Sequence, residues 1–303
     1  MKKIVFILIL LIIIGIGVGI AYNRQTSQSS SDKKKVAATI FPLYDIARNV
    51  AGTEIDVMLV LPPGASPHSY EPSPEGIRRL QGSDALFYIG HGIDDWSTSM
   101  ANSADIKYQI AVDKNVSLLK TTEKNNQEYK KSDNEINPHY WLSIKNAEQM
   151  ATQIKDDLIS LYPENKDVFT HNYDNYIQEL QTAEKEFSAT IQVLPNKNIA
   201  TFHNAYGYFA DEYGLTVVTT FEEFPGEEPS PDYLHTFTNN IKEHNVKVIF
   251  AEPQFSTRSL EPIADDLGVT ISQLDPIGGV PGRESFIALM NYNVNQVTKA
   301  VSQ

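Results

Sequence analysis

The feature that most constrains the fold is the alternation of short apolar runs with helical segments along residues 36–303. The stretch VAATIFPLYDIARNVAG predicts a buried strand, a turn and a helix, and EIDVMLVLPPG predicts a second strand that ends at two prolines and a glycine. DALFYIG predicts a third strand, and the same alternation returns in NKNIATFHNAYGYF and NVKVIFAEPQ. Strand–helix–strand order is typical of parallel sheets with crossover helices, so the sequence predicts an α/β fold.

A long helical pattern separates the two α/β regions. Its apolar stripe contains Phe169, Tyr173, Tyr176, Ile177, Leu180, Phe187, Ile191 and Leu194. Residues 163–194 would span about 48 Å as a helix, which exceeds a small domain and suits either a coiled-coil arm or a strut between two lobes. Because α/β patterning resumes at once, we predict an N-terminal α/β lobe at 36–162, a linking helix at 163–194 and a C-terminal α/β lobe at 195–303.

The first 22 residues, MKKIVFILILLIIIGIGVGIAY, predict a signal or membrane anchor. Lys2 and Lys3 precede an uncharged run that approaches the roughly 20 residues needed to span a bilayer, and no clear small-residue cleavage site follows. An uncleaved anchor is the first interpretation and a cleaved signal the second. Residues 23–35 predict a flexible polar tether. The basic start should stay in the cytoplasm, which places the body outside the cell membrane.

Composition excludes several kinds of site. The chain has no cysteine, so any metal must be held by histidine and carboxylate, and no lipidated cysteine can anchor the chain. The formal net charge is −13, and it becomes −18 when the six Lys or Arg and one Asp of residues 1–35 are left out. That surface disfavours nucleic acid and is compatible with attracting cations, although simple solubility is the favoured explanation of the net charge taken alone.

Four polar side chains follow predicted strands or close a lobe. They are His68 in PPGASPHSYEPSP, His139 in NPHYWLS, His203 in TFHNAYGYF and Asp275 in QLDPIGG. Ligands of open α/β sheets bind beyond the carboxyl ends of the strands, so two facing lobes would bring the four together. Three imidazoles and one carboxylate make a tetrahedral set suited to Zn²⁺. Each residue alone also fits a structural role, as a turn, an aromatic packing element or a helix cap.

The other four histidines are interpreted as structural or surface residues. His171 lies early in the long helix, His235 and His244 lie in a polar helical stretch, and His91 lies in GHGIDDW. None of the three in helical stretches follows a predicted strand.

Taken together, PHSYEPSP, NPHYWLS, TFHNAYGYFADEYGL and LDPIGG resemble the zinc/manganese solute-binding proteins of ABC importers, known as cluster A-I. The resemblance covers nearly all of residues 36–303, in order. It implies two α/β lobes bridged by one stiff helix, with the metal in the cleft between them. It also implies the ligands His68, His139, His203 and Asp275. The implied partners are an ABC permease in the membrane and a separate ATPase subunit, and a monomer is expected.

The resemblance leaves the choice of metal open between zinc and manganese. Family members devoted to manganese usually carry a carboxylate as the third ligand, whereas this chain has His203. Imidazole suits zinc, and the general affinity order also favours Zn²⁺ over Mn²⁺. Zinc is therefore the predicted metal and manganese the alternative. The polar stretch 120–135, predicted as a surface loop, has no histidine, unlike the histidine-rich loop of many zinc-binding members.

Two functions of other classes compete with metal capture. A secreted zinc hydrolase would use the same ligands, but the chain has no H-E-x-x-H motif and no evident general base. A surface adhesin is the other, and no segment suggests a specific host ligand. The absence of a G-x-x-x-x-G-K-[ST] loop assigns ATP hydrolysis to another subunit. We therefore expect a binding protein without enzymatic activity.

Overall fold

The computed structural model describes residues 34–120, 136–222 and 225–301. The predicted anchor at 1–22, most of the predicted tether and nearly all of the polar stretch 120–135 lie outside the described residues. Within the described part of the chain, no helix is both long enough and apolar enough to cross a membrane.

Two four-stranded parallel sheets form the body, which confirms the predicted fold class. The first sheet has the order β2-β1-β3-β4 and the second the order β6-β5-β7-β8. The strands are β1 (Lys35–Ala38), β2 (Asp56–Leu59), β3 (Ala85–Tyr88), β4 (Tyr108–Ala111), β5 (Asn198–Thr201), β6 (Thr216–Thr220), β7 (Val248–Ala251) and β8 (Thr270–Gln273). The strand β4 was not predicted, because all four of its residues are exposed or half-buried and form no apolar run.

Helices cover the faces of both sheets. Among the described residues they are α1 (Phe41–Ala51), α2 (Pro74–Leu80), α3 (Trp96–Ser103), α4 (Ile144–Leu161), α5 (Lys166–Gln192), α6 (Gly207–Tyr213), α7 (Pro231–Glu243), α8 (Glu261–Leu267) and α9 (Phe286–Val301). Ser73 caps α2 as the sequence predicts, since its hydroxyl accepts a hydrogen bond from the Gly76 amide. Ser143 and Ser230 cap α4 and α7 in the same way.

The strand order places a topological switch point in each sheet. In both lobes the chain runs from the first strand to one neighbour and then crosses to the other side, so β1 lies beside β3 and β5 beside β7. These central strands are almost wholly buried, with all four residues of β7 inaccessible, whereas the edge strands are partly exposed. The carboxyl ends of β1 and β3, and of β5 and β7, are therefore the expected places for a ligand.

The long helix α5 packs against helices of both lobes. It contacts α1 and α4 on one side and α6 and α9 on the other. The buried part of its stripe comprises Phe169, Tyr176, Leu180, Ala183, Phe187 and Ile191. These residues belong to one apolar cluster that continues into both lobes. The helix follows a 3-10 turn at Pro163–Asn165, close to the predicted start, while the proposed lobe boundaries stay predictions.

Two further contacts link the second lobe to α1. A Cβ on Gly279, in the loop after β8, would lie 2.8 Å from the Phe41 ring, so only glycine allows this approach. Asp45 is buried and accepts a hydrogen bond from the Phe286 amide at 2.8 Å, at the start of α9. Arg48 pairs with the same carboxylate at 2.7 Å. These contacts hold the last loop and the last helix against the first lobe.

Candidate metal centre

Three of the four predicted ligands come together between the sheets. His68, His139 and His203 each offer one ring nitrogen, and these atoms all lie within 4.8 Å of one another. The Nε2 of His139 lies 3.1 Å from the Nε2 of His68 and 3.3 Å from the Nε2 of His203. Within the described residues, these three form the one group of at least three histidine or acidic side chains close enough to share a metal ion.

Buried aromatic neighbours fix the position of His139. Residues Tyr140–Leu142 form a 3-10 turn whose side chains are all inaccessible. The Tyr140 hydroxyl donates to the carbonyl of Ile89 after β3 at 2.9 Å, and the Trp141 indole donates to the carbonyl of Pro276 after β8 at 2.7 Å. The aromatic residues therefore anchor the turn to both lobes, and the histidine projects from it into the cluster.

The hydrogen-bond partner of His139 determines which of its nitrogens carries the proton. Its Nδ1 lies 2.9 Å from the amide oxygen of Asn137, which also accepts the backbone amide of His139. The amide nitrogen of Asn137 is directed elsewhere, since it donates to the carbonyl of Asn204. An amide oxygen can only accept, so Nδ1 must donate and Nε2 keeps a free lone pair.

The loop that carries His68 is held from within its own lobe. Residues Pro67–Ser69 form a 3-10 turn, and Trp96 at the start of α3 donates its indole N–H to the Pro67 carbonyl at 3.1 Å. The residue is exposed as a whole, although its Nε2 faces the other two imidazoles. Burial of the ring, followed by the neighbouring His203, lowers the pKa of His68 to about 3.

His203 follows β5 at the switch point of the second sheet. It is 3% exposed, and its Nδ1 lies 2.6 Å from Oε1 of Glu252, which follows β7 and is 1% exposed. The edge of the Phe255 ring covers the imidazole, with ring centroids 5.8 Å apart. His139 and His203 therefore sit where water has little access, while His68 lies at the exposed side of the cluster. Burial lowers the pKa of His139 well below its ordinary value, and His203 and His68 add to that effect. Neutral imidazole is the form that binds metal.

Asp275 lies at the end of β8 but outside the close histidine group. One of its oxygens accepts hydrogen bonds from the Gln254 side chain and from the amides of Ile277 and Gly278, at 2.9 to 3.1 Å. The other oxygen lies 3.0 Å from a guanidinium nitrogen of Arg283. The carboxylate thus shapes the loop after β8, and its role as a fourth ligand stays a prediction.

The cleft around the imidazoles is small and mostly apolar. It measures about 230 Å³, counting the space at its mouth. Apart from the histidines, its walls include Pro67, Trp141, Glu252, Gln254, Phe255, Pro276 and Ile277. Such a cleft suits a single ion better than an organic solute.

The remaining histidines lie apart from this group, in agreement with the sequence interpretation. His91 pairs with Asp113 at 3.0 Å, His171 contacts Asn175, and His235 contacts Asn239. His244 follows the last residue of α7. Sequence reasoning did miss Glu252. The signal was present, because Glu252 follows the apolar strand VIFA as His203 follows NIAT, but an acidic residue before a proline suggests a turn.

Two parallel α/β lobes on one long helix, with buried imidazoles between them, define a metal-binding solute-binding protein of the cluster A-I class. Residues 36–300 match the model of a family described as zinc-uptake complex component A, periplasmic. The chain belongs to this family, ZnuA.

Two relatives that are similar in sequence have names that refer to zinc. The high-affinity zinc uptake system protein ZnuA of Bacillus subtilis is 28% identical over 281 residues, which cover 89% of this chain and 88% of the relative. The zinc-binding protein AdcA of Streptococcus pyogenes is 27% identical over 267 residues, which cover 83% of this chain and 52% of the relative. The chain therefore spans about half the length of the streptococcal relatives it matches.

A solved structure similar to this chain carries manganese. The solute-binding protein FpvC of Pseudomonas aeruginosa, in complex with Mn²⁺, is 29% identical and has a TM-score of 0.79. The match covers 89% of this chain and 99% of that protein. The same fold thus accommodates more than one divalent ion.

Proposed function

We propose that this protein captures Zn²⁺ outside the cytoplasm and delivers it to the permease of an ABC importer. The family description and the names of the sequence relatives support uptake as the process and zinc as the cargo. The ATPase is a separate subunit, and the N-terminal apolar segment keeps the protein at the outer face of the membrane. The protein acts as a monomeric carrier and catalyses no reaction.

The observation that carries the proposal is the spacing of the three Nε2 atoms. A zinc–imidazole bond is about 2.0–2.1 Å, so two nitrogens of a tetrahedral site lie about 3.3–3.4 Å apart. The distances of 3.1 and 3.3 Å from His139 to its two neighbours are close to this value. The three ring nitrogens therefore lie close enough for one cation to bind all of their lone pairs at once.

Zinc is the preferred cargo because all three close donors are imidazoles. Carboxylate and water suit manganese better, and the general affinity order places Zn²⁺ above Mn²⁺. Manganese remains the second candidate, since a solute-binding protein of the same fold carries Mn²⁺.

Asp275 is the proposed fourth ligand. To bind the ion, one of its oxygens must leave Arg283, which now lies 3.0 Å away. The ion and the guanidinium therefore compete for the same carboxylate. If Asp275 stays with Arg283, the fourth position is open to water or to a group of the permease, and release of the ion needs one bond fewer to break.

The shared core restricts how the protein can open. Because α5 packs into the same apolar cluster as both lobes, large hinge motions would expose buried aromatic residues such as Phe169 and Phe187. Capture and release are therefore expected to involve the ligand loops rather than the lobes as rigid bodies. The His68 loop is the most exposed of the three and is the expected point of entry.

Metal analysis of the purified protein tests the proposal. We expect about one tightly bound Zn²⁺ per chain and a competitive titration in which zinc displaces manganese. A stoichiometry near zero after exposure to zinc would refute zinc capture. Tighter binding of Mn²⁺ than of Zn²⁺ would instead favour the manganese alternative.

A further inference from the structure

The carboxylate of Glu252 lies next to His203 and has no part in the predicted ligand set. We propose that Glu252 is the positioning residue of His203. In this inference, which rests on the proposed function, Glu252 holds the ring so that Nε2 stays unprotonated for the metal. It also supplies a buried negative charge that balances part of the charge of the ion. Glu252 does not bind the ion itself, because its oxygen contacts the opposite nitrogen of the ring.

The contact between Glu252 and His203 is short and buried from solvent. Oε1 of Glu252 lies 2.6 Å from Nδ1 of His203, and the two side chains are 1% and 3% exposed. This contact is an ion-pair distance rather than a hydrogen bond of regular geometry, and neither oxygen of Glu252 nor the Nδ1 of His203 meets a hydrogen-bond partner among the described residues. The pairing follows from the fold, since β5 and β7 are neighbours and each residue lies just beyond its strand.

A buried carboxylate without other partners needs a positive charge or a donor nearby, because desolvation of an anion costs several kcal/mol. An ionised carboxylate can only accept, so the proton of a neutral His203 resides on Nδ1 and Nε2 keeps its lone pair. Carboxylate–histidine pairs of this type orient metal-binding rings and raise their basicity. His139 obtains the same orientation from the neutral amide of Asn137. The charged partner thus distinguishes His203 from His139.

The other buried carboxylates near the site are already engaged. Asp275 pairs with Arg283 and accepts three hydrogen bonds. Glu222 lies close enough to influence both His203 and Glu252 but accepts the Gly226 amide at 2.6 Å. Glu252 is therefore the acid whose charge is available to the imidazole.

The first measurement needs no metal. In the full-length zinc-free protein with ¹⁵N-labelled histidine, long-range ¹H–¹⁵N spectra at mildly alkaline pH report which nitrogen carries the proton. We expect Nδ1–H for His203 in the parent and in E252Q, whose amide oxygen can accept. In E252A we expect a change of tautomer at His203 and none at His139. A parent His203 protonated on Nε2 alone would overturn the proposal.

The second measurement is zinc affinity by competition with a chelator. Loss of a side chain that holds a metal-binding imidazole typically weakens metal binding 10–100-fold, so we expect about a tenfold loss in E252Q and a loss nearer to 100-fold in E252A. The matched control is E212Q, in which a half-buried carboxylate of the same lobe that accepts the Lys145 amide becomes neutral. Its affinity should stay within about twofold of the parent.

The outcomes separate this inference from the proposed function. If the parent binds no zinc, the proposed function fails, while the tautomer of His203 still tests the role of Glu252. Affinity of E252A and E252Q equal to that of the parent, or an equal loss in E212Q, would overturn the positioning role. If E252A does not fold, the isosteric E252Q is decisive by itself: a loss of zinc affinity supports the positioning role, and an unchanged affinity overturns it.

Discussion

Replacement of His139 by alanine removes the imidazole that contacts both other rings of the cluster. Zinc sites with four ligands bind with apparent free energies of about 10–16 kcal/mol, so an equal share for one ligand is about 3 kcal/mol. That loss corresponds to roughly a 100-fold weaker affinity. The fold should survive the change. The oxygen of Asn137 still accepts the backbone amide at position 139, now 3.0 Å away, and is not left without a donor.

Zinc affinity is measured by competition with a chromophoric chelator, and folding of the zinc-free variant is checked by circular dichroism. His91→Ala is the matched control, because His91 lies in the same lobe, contacts the Tyr140 ring and pairs with Asp113 outside the cluster. The control should bind zinc as the parent does. A folded His139→Ala variant with an affinity within about threefold of the parent would show that this cluster is not the zinc site.

Three other perturbations test the site and its support. In Asp275→Asn the predicted fourth ligand loses its charge, and we expect about a tenfold weaker zinc affinity; no change would mean that Asp275 stays with Arg283 in the loaded protein. Below pH 6.5 the zinc-free protein should lose stability, because the unfolded chain binds a proton at each histidine while His139, whose pKa is lowered on folding, does not. Urea unfolding should show a slope of up to about 1.4 kcal/mol per pH unit from His139 and a similar one from His68, whose pKa is also lowered, and His139→Ala should remove one of these two contributions. Asp45→Ala leaves the Phe286 amide and Arg48 unpaired, so thermal melts should reveal a loss of about 2 kcal/mol with zinc affinity unchanged.

The α/β class and the three histidines could be predicted because their signals are local. An apolar run reports a buried strand, and the residue just after it lies at the ligand-binding edge whatever the rest of the chain does. This reasoning brought His203 together with His68 and His139, and the structure places the three rings side by side, while their role as ligands stays a prediction. It failed for β4, where the edge position leaves Tyr108 exposed and removes the apolar run on which the prediction depends.

The sequence did not reveal in the same way which acidic residue lies beside the histidine cluster. Asp275 stands before a proline and Glu252 does too, and the local sequence makes both look like turn residues. Their environments differ because Arg283 lies against Asp275, whereas β7 brings Glu252 next to His203.

The sequence determines the residue types, their order and their positions after strands, and these suffice to predict a histidine-based metal site in a two-lobed α/β protein. The partners of each ionisable group depended on which strands became neighbours. Charge pairing in a dry interior depends on distances of a few ångströms between residues far apart in sequence, and no local pattern encodes such distances. The adjacency of β5 and β7 therefore decided that His203 meets Glu252 and that its Nε2 faces the other two imidazoles.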